Sequence, residues 1–564
     1  MENEVGKAQK KMHESLPAFP VRPELFSNRL TMTRHYFFFK MKSSLTTIFL
    51  AFICAVSGGT VIAQENTVTM QPEKAGTVIS KNLYGHFAEH LGHCIYGGIW
   101  VGENSSIPNV RGIRSDVVNA LRDMSIPNLR WPGGCFADEY HWKNGIGQRE
   151  KRPAMINTNW GGVSEDNSFG TNEFLDLCEQ LGCEPVITGN LGSGSVEEMS
   201  QWVEYINSGN ISPMTDLRKA GGREKAWNVK FWGLGNESWG CGGAMSPEFY
   251  FDQMMRYSNF CRDYDGKGLF RIAVGPNVDD YNWTETMMRL WSKKSWWEQR
   301  LMNGLSLHYY TLCHGWGDKG SATEFTEKDW FATLKATCRM EELIGKHLAI
   351  MDKYDPGHRV GLVVDEWGNW YDVEPGTNPG FLFQQNTLRD ALVAAINLNI
   401  FNNHADRIVM ANIAQMVNVL QSVILTDKDR MALTPTYYVF RMYKVHQGAT
   451  LIPVTVSCRN YASGDESVPA VNVSASKDAS GRIHVTMVNL DPGNETPVTV
   501  NLGSEQKVTV TGQVITSENM NDYNDFGQAP KVIAAGFDKF KAGNGQVKVS
   551  MPSKSVVCLE ITAR

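Results

Sequence analysis

The chain has 564 residues, of which 42% are hydrophobic and 20% charged, with a formal net charge of −6. This length exceeds one ordinary core and fits about two to four domains, while the acidic balance excludes a basic surface of the kind that tracks nucleic acid. A neutral ligand is favoured, and 16 tryptophans and 18 tyrosines supply aromatic faces on which sugar rings pack.

Residues 1–40 show no fold pattern and precede a second start at Met41, so they read as a non-native N-terminal extension. Residues 41–63 read as a signal peptide, with a basic start at Met41-Lys-Ser-Ser, an apolar run, and Val61-Ile-Ala63 as small residues before Gln64. Export to the periplasm or the cell exterior is therefore expected, with no membrane association after the signal is removed. Cys54 falls in this leader, and the other cysteines have neither the density of a disulfide scaffold nor paired C-x-x-C spacing.

Residues 64–81 contain Thr67-Val-Thr-Met70, a strand expected to join the edge of a later sheet. From 82 to 433, eight short apolar runs alternate with helical patterns. The runs are 83–87, 128–131, 185–188, 230–234, 271–274, 304–307, 359–364 and 407–410. Helices are expected over 115–124, 172–181, 247–262 and 385–402, the last from Leu388, Leu392, Ala395 and Leu398 at helical spacing. Eight β–α units with nearly continuous apolar strands predict a (β/α)8 TIM barrel of the α/β class. Residues 434–564 change texture: period-2 runs such as Ile483-His-Val-Thr-Met-Val-Asn-Leu490 and Gln546-Val-Lys-Val-Ser-Met551 alternate with Gly, Asn and Pro turns. They predict an antiparallel, jelly-roll-like β-sandwich.

The C-terminal ends of barrel strands form the active face of such a fold. There the chain places Glu89, Cys135, Asn236-Glu237, His308-Tyr-Tyr310, Asp365-Glu366-Trp367 and Gln415. Nucleotide loops, H-E-x-x-H and G-x-S-x-G elbows are missing from the sequence, which leaves carboxylate chemistry. Acetal hydrolysis needs an acid on the leaving oxygen and a carboxylate across the sugar. Glu237 after the fourth strand and Glu366 after the seventh fit that pair, with Asn236, Trp367 and Trp370 giving them different surroundings. Several retaining barrel glycosidases share this layout, among them xylosidases and endoglucanases, and a non-catalytic carbohydrate-binding protein is a further reading.

Four segments narrow the choice: Gly85-His-Phe-Ala-Glu-His-Leu-Gly-His-Cys-Ile-Tyr-Gly-Gly-Ile-Trp100, Gly235-Asn-Glu-Ser-Trp-Gly-Cys-Gly-Gly243, Asp365-Glu-Trp-Gly-Asn-Trp-Tyr371 and Ala411-Asn-Ile-Ala-Gln-Met-Val-Asn418. Together they resemble glycoside hydrolase family 51, the α-L-arabinofuranosidases, from about Thr67 to the C-terminus. The resemblance implies an exo-acting, retaining enzyme that removes terminal arabinofuranose from arabinan or arabinoxylan side chains. Glu366 would be its nucleophile and Glu237 its acid/base. No cofactor or metal is implied, and homo-oligomers such as hexamers are. It also implies sugar contacts from Glu89, Asn236, Tyr310 and Gln415, and a pocket wall containing Trp160.

One position departs from the family pattern, because Cys135 stands where many members have asparagine. Cys94, Cys241 and Cys313 fall in loops on the same rim. Separate thiols, one or two disulfides bracing the pocket, and a metal or redox site are all open, and His86, His90, His93, His308 and His314 are nearby candidates for a metal cluster. The expectation is that two of the four sulfurs lie within bonding distance.

Overall fold

The computed structural model describes residues 65–503, 505 and 507–563. The expected signal and the extension before it lie outside the described residues.

Eight parallel strands close into a barrel in chain order, the last pairing with the first. They are β1 (Gly85–Phe87), β2 (Asn128–Trp131), β3 (Glu184–Gly189), β4 (Phe231–Leu234), β5 (Phe270–Ala273), β6 (Gly304–Thr311), β7 (Gly361–Asn369) and β8 (Ile408–Ala414). Burial on both faces explains why each is written as an apolar run rather than an alternation. Val186, Phe231, Ile272, Val363 and Met410 form a separate buried cluster contributed by five of these strands. The lumen is thus packed at this level, as in other barrels of this type, and polar residues occupy the level toward the C-terminal rim. β6, β7 and β8 run further than their apolar segments, so His308, Tyr310, Asp365 and Glu366 lie within strands rather than in the loops that follow.

A five-stranded and a six-stranded sheet are built from strands after the barrel, with one strand of the five-stranded sheet, Asn66–Met70, coming from before it. Alternation of buried Val498 and Val500 with more exposed neighbours matches the period-2 reading. Asn66–Met70 lies one strand in from an edge. It pairs antiparallel with Val454–Ser457 and parallel with Thr496–Asn501, so this sheet has one parallel pair.

Helix Leu388–Asn403 couples the two parts. Almost all of its residues are buried, which goes beyond the single apolar stripe expected from sequence. Its asparagines are satisfied by the sheet: Asn399 donates to Oδ1 of Asn472 at 2.8 Å, and Asn402 to Oγ of Ser474 at 3.0 Å. Helix Pro435–Tyr443 begins after the boundary expected at 433/434, yet it packs on the barrel. Its Phe440 ring lies 4.7 Å from His86 and 6.1 Å from Trp367. Among the described residues, no helix is long and apolar enough to cross a membrane.

Candidate active site

Arg130 is the organising cation. It sits on β2 with its side chain buried, and the cost of burying a charge requires anionic partners. Nη1 donates to Oε1 of Glu366 at 2.8 Å, Nη2 to Oδ1 of Asn236, and Nε lies 3.6 Å from Asp365. Fixing Oδ1 of Asn236 in this way leaves its Nδ2 as the donor available to a ligand.

A bulge brings the next two carboxylates together. Along β6 and β7, Ser306 pairs with Val363 but His308 pairs with Glu366, so β7 carries one extra residue. Consecutive side chains of a regular strand point to opposite faces, and a bulge breaks that rule. Asp365 and Glu366 accordingly both reach His308: Nε2 is 3.0 Å from Asp365 Oδ1, and Nδ1 is 3.5 Å from Glu366 Oε2. Nδ1 also lies 2.9 Å from Glu237 Oε1. Burial works against a charged ring, but Glu366 and Asp365 outweigh it and raise the His308 pKa to about 10. Burial also opposes ionisation of Asp365, and Arg130 and His308 reverse it, holding that carboxyl below its ordinary value.

Glu237 follows β4 in the left-handed region, at φ +39°, and its carbonyl accepts N–H bonds from Gly240 and Gly242 that close a tight turn. Burial raises its pKa, a hydrogen bond from His308 lowers it, and the charge of Glu366 raises it, leaving a net increase. Tyr310 donates its hydroxyl to Oε2 of Glu366 at 2.8 Å. Burial and the charge of Glu366 keep that phenol protonated.

Glu89 accepts four bonds, from the backbone N–H of Gly134 and Phe136, from Trp160 Nε1 and from Gln415 Nε2. None of these donors is a cation. Burial, reinforced by Glu366, raises its pKa to about 7. The same close packing demands glycine before Cys135, since a Cβ on Gly134 would stand 2.9 Å from Glu366 Oε1.

A cavity of about 230 Å³ brings together every site residue expected from sequence: Glu89, Cys135, Trp160, Asn236, Glu237, Tyr310, Glu366, Trp370 and Gln415. Trp370 stands edge-on to Tyr310 and to Trp316, at 5.1 and 5.2 Å. Trp367 does not join them. It turns outward from the barrel against Phe401 and Phe440 and is core. A larger hollow of about 460 Å³, between helix Pro435–Tyr443 and the six-stranded sheet, lacks any comparable carboxylate pair.

Cys135 and Cys241 form a disulfide that joins the loops after β2 and β4, whereas Cys94 and Cys313 are free thiols. Its sulfurs lie 3.9 and 3.6 Å from Oε2 of Glu237. Two supports escaped the sequence reading. Arg130 is one. The other is Asp138, whose carboxylate accepts N–H bonds from Asn236, Leu191 and Gly192, each at 2.8 Å, and thereby holds the turn carrying Glu237. A lone arginine inside an apolar barrel strand is a signal that a buried anion must face it. Asp138 lies in a short helical turn with no comparable pattern.

Changing Arg130 to Met removes one member of a buried ion pair, and unfolding in urea should show a loss of about 3–5 kcal/mol. Arg130→Lys keeps a charge but cannot bond Glu366 and Asn236 together, so it should preserve more stability than turnover. Full turnover in the lysine variant would remove Arg130 from the catalytic arrangement.

An eight-stranded barrel with a pair of glutamates on its C-terminal rim, Glu366 buried and Glu237 half-buried, is the frame of a glycoside hydrolase. Comparison with known proteins narrows the class. Residues 120–266 match the α-L-arabinofuranosidase 1 domain, and residues 365–555 the α-L-arabinofuranosidase C-terminal domain. The chain is 52% identical to a Bacteroides ovatus protein named intracellular exo-α-L-arabinofuranosidase, over 93% of this chain and 100% of that one. It is 32% identical to a probable α-L-arabinofuranosidase C of Aspergillus niger, over 81% and 91% of the two chains. The crystal structure of the family 51 arabinofuranosidase from Xanthomonas axonopodis pv. citri superposes with a TM-score of 0.86 at 48% identity, covering 88% of this chain and 100% of that one. The chain belongs to the α-L-arabinofuranosidases of glycoside hydrolase family 51 and is an enzyme of that activity. Export, expected from residues 41–63, is overturned by the B. ovatus relative, which is matched along its entire length and is named intracellular.

Proposed function

We propose that the enzyme releases single terminal non-reducing α-L-arabinofuranosyl groups from glycans of the arabinan and arabinoxylan type, by double displacement with retention. The supporting observation is the carboxylate spacing. One oxygen each of Glu237 and Glu366, with a ring nitrogen of His308, lie within 4.8 Å of one another. Retaining glycosidases hold their pair about 5–5.5 Å apart, while inverting ones leave about 6.5–9.5 Å for a water.

In the first step Glu366 attacks the anomeric carbon as Glu237 protonates the departing glycosidic oxygen. In the second, Glu237 takes a proton from water as that water displaces Glu366, so the anomeric configuration is inverted twice. Arg130 and Tyr310 hold one oxygen each of Glu366, which fixes the carboxylate without consuming all its lone pairs. Asn236 Nδ2 donates to the 2-hydroxyl, and Glu89 and Gln415 take the other ring hydroxyls. A cavity sized for one sugar, walled by Trp160 and Trp370, favours chain ends over internal bonds. The intracellular name of the B. ovatus relative suits short arabino-oligosaccharides as substrates.

The test is a panel of aryl α-L-arabinofuranosides, β-xylosides and β-glucosides, with NMR of the first-formed anomer on the arabinofuranoside. Preferred release of arabinose, first as the α-anomer, is expected. A first-formed β-anomer would exclude double displacement, and activity confined to xylosides or glucosides would exclude the substrate.

A further inference from the structure

We propose that Cys313, His314 and Asp329 form a binding site for one zinc-class divalent cation, beside the sugar pocket and separate from it. Cys313 and His314 lie just after β6, past Leu312, and Asp329 stands in the first turn of helix Glu327–Tyr354. Sγ of Cys313 lies 3.4 Å from Nε2 of His314, and that nitrogen lies 3.0 Å from Oδ1 of Asp329. One donor atom from each residue falls within 4.8 Å of the other two.

These spacings are close to those of a loaded site. Metal bonds of about 2.3 Å to sulfur and about 2.0–2.1 Å to nitrogen and oxygen, arranged tetrahedrally, separate sulfur from nitrogen by about 3.6 Å and nitrogen from oxygen by about 3.3 Å. The sulfur–nitrogen and nitrogen–oxygen spacings are each within a few tenths of an ångström of those values. Asp329 is already oriented for this role. Its Oδ2 accepts from N and Oγ1 of Thr326, both at 2.8 Å, as the helix cap, which leaves Oδ1 facing His314. The side chains of His314 and Asp329 are 36% and 24% exposed, so an ion can enter and a fourth position can take water. A thiolate, imidazole and carboxylate together select zinc over calcium or magnesium, which prefer all-oxygen shells.

The site would act on the pocket rim. Trp316 lies in the glycine-rich segment that starts at Cys313, is 55% exposed, and meets Trp370 edge-on. A cation joining Cys313 and His314 to the long helix fixes the near end of that segment.

The whole chain, without reductant so that the Cys135–Cys241 disulfide is kept, is titrated with Co²⁺ and then Zn²⁺. A thiolate-to-cobalt charge-transfer band should saturate at about one ion per chain and disappear as zinc displaces cobalt. The band should be lost in Cys313→Ser, fall in His314→Ala, and persist in Glu366→Gln, with circular dichroism confirming that each variant is folded. Zinc should also slow amide exchange over residues 313–320 in the parent chain but not in Cys313→Ser. Absence of the band, its survival in folded Cys313→Ser, or unchanged exchange would overturn the proposal.

Discussion

Replacing Glu366 by Gln is expected to reduce kcat on an aryl α-L-arabinofuranoside by about 10⁵-fold, the lower range of the advantage of a well-oriented internal nucleophile. The orientation comes from both ends of the carboxylate: Arg130 and Tyr310 each donate to it at 2.8 Å. Gln keeps the shape: its carbonyl oxygen can accept from Arg130 and its amide nitrogen can donate to the Tyr310 hydroxyl oxygen, so the fold should survive while the nucleophilic anion is gone. In Glu366→Ala the space also opens, and azide should enter it. Attack from that side gives a β-arabinofuranosyl azide, the product of one inversion. Progress curves of aryl release and NMR of the azide adduct measure both effects. Turnover of Glu366→Gln within about tenfold of the parent would show that another group forms the covalent bond, because so small a loss is only about 1.4 kcal/mol of barrier.

The eight strands are legible because parallel strands buried on both faces must be apolar throughout, and the sheets after the barrel because half-buried strands must alternate. The extent of β6–β8 is less legible. Their C-terminal parts reach the site, so His308, Tyr310, Asp365, Glu366 and Asn369 place polar groups where a strand pattern would be apolar. The glutamates could be placed from rim position alone, but their surroundings could not. The bulge that turns both Asp365 and Glu366 inward leaves Trp367 facing outward, and no local residue announces it. The Cys135–Cys241 bond joins residues 106 apart in sequence, so only the closure of the barrel brings them together. Arg130 was readable in principle, since a buried guanidinium demands an anion, but which anion depends on the strands opposite.

Glu237→Ala should separate substrates by their leaving groups. As proposed general acid, Glu237 contributes about 10²–10⁴-fold when the departing oxygen needs a proton, and little when a dinitrophenolate leaves unaided. Arabino-oligosaccharides should therefore lose that factor in kcat/KM, and the dinitrophenyl glycoside much less. The variant should also lose the basic limb of its pH profile. The sign follows from the raised pKa: the acid form persists above the ordinary carboxylate range, and activity falls as rising pH removes its proton. Burial is the leading cause, and the disulfide sulfurs 3.9 and 3.6 Å from Oε2 contribute by taking the place of water. His308 acts in the opposite direction through its hydrogen bond. His308→Asn should accordingly move the basic limb to higher pH while leaving Glu237 competent as an acid. Azide added to Glu237→Ala should restore turnover of the dinitrophenyl glycoside with retained configuration, because it intercepts the intermediate from the face where water normally attacks. Equal losses on both classes of leaving group, with the basic limb intact, would remove Glu237 from proton transfer and leave it only an electrostatic part.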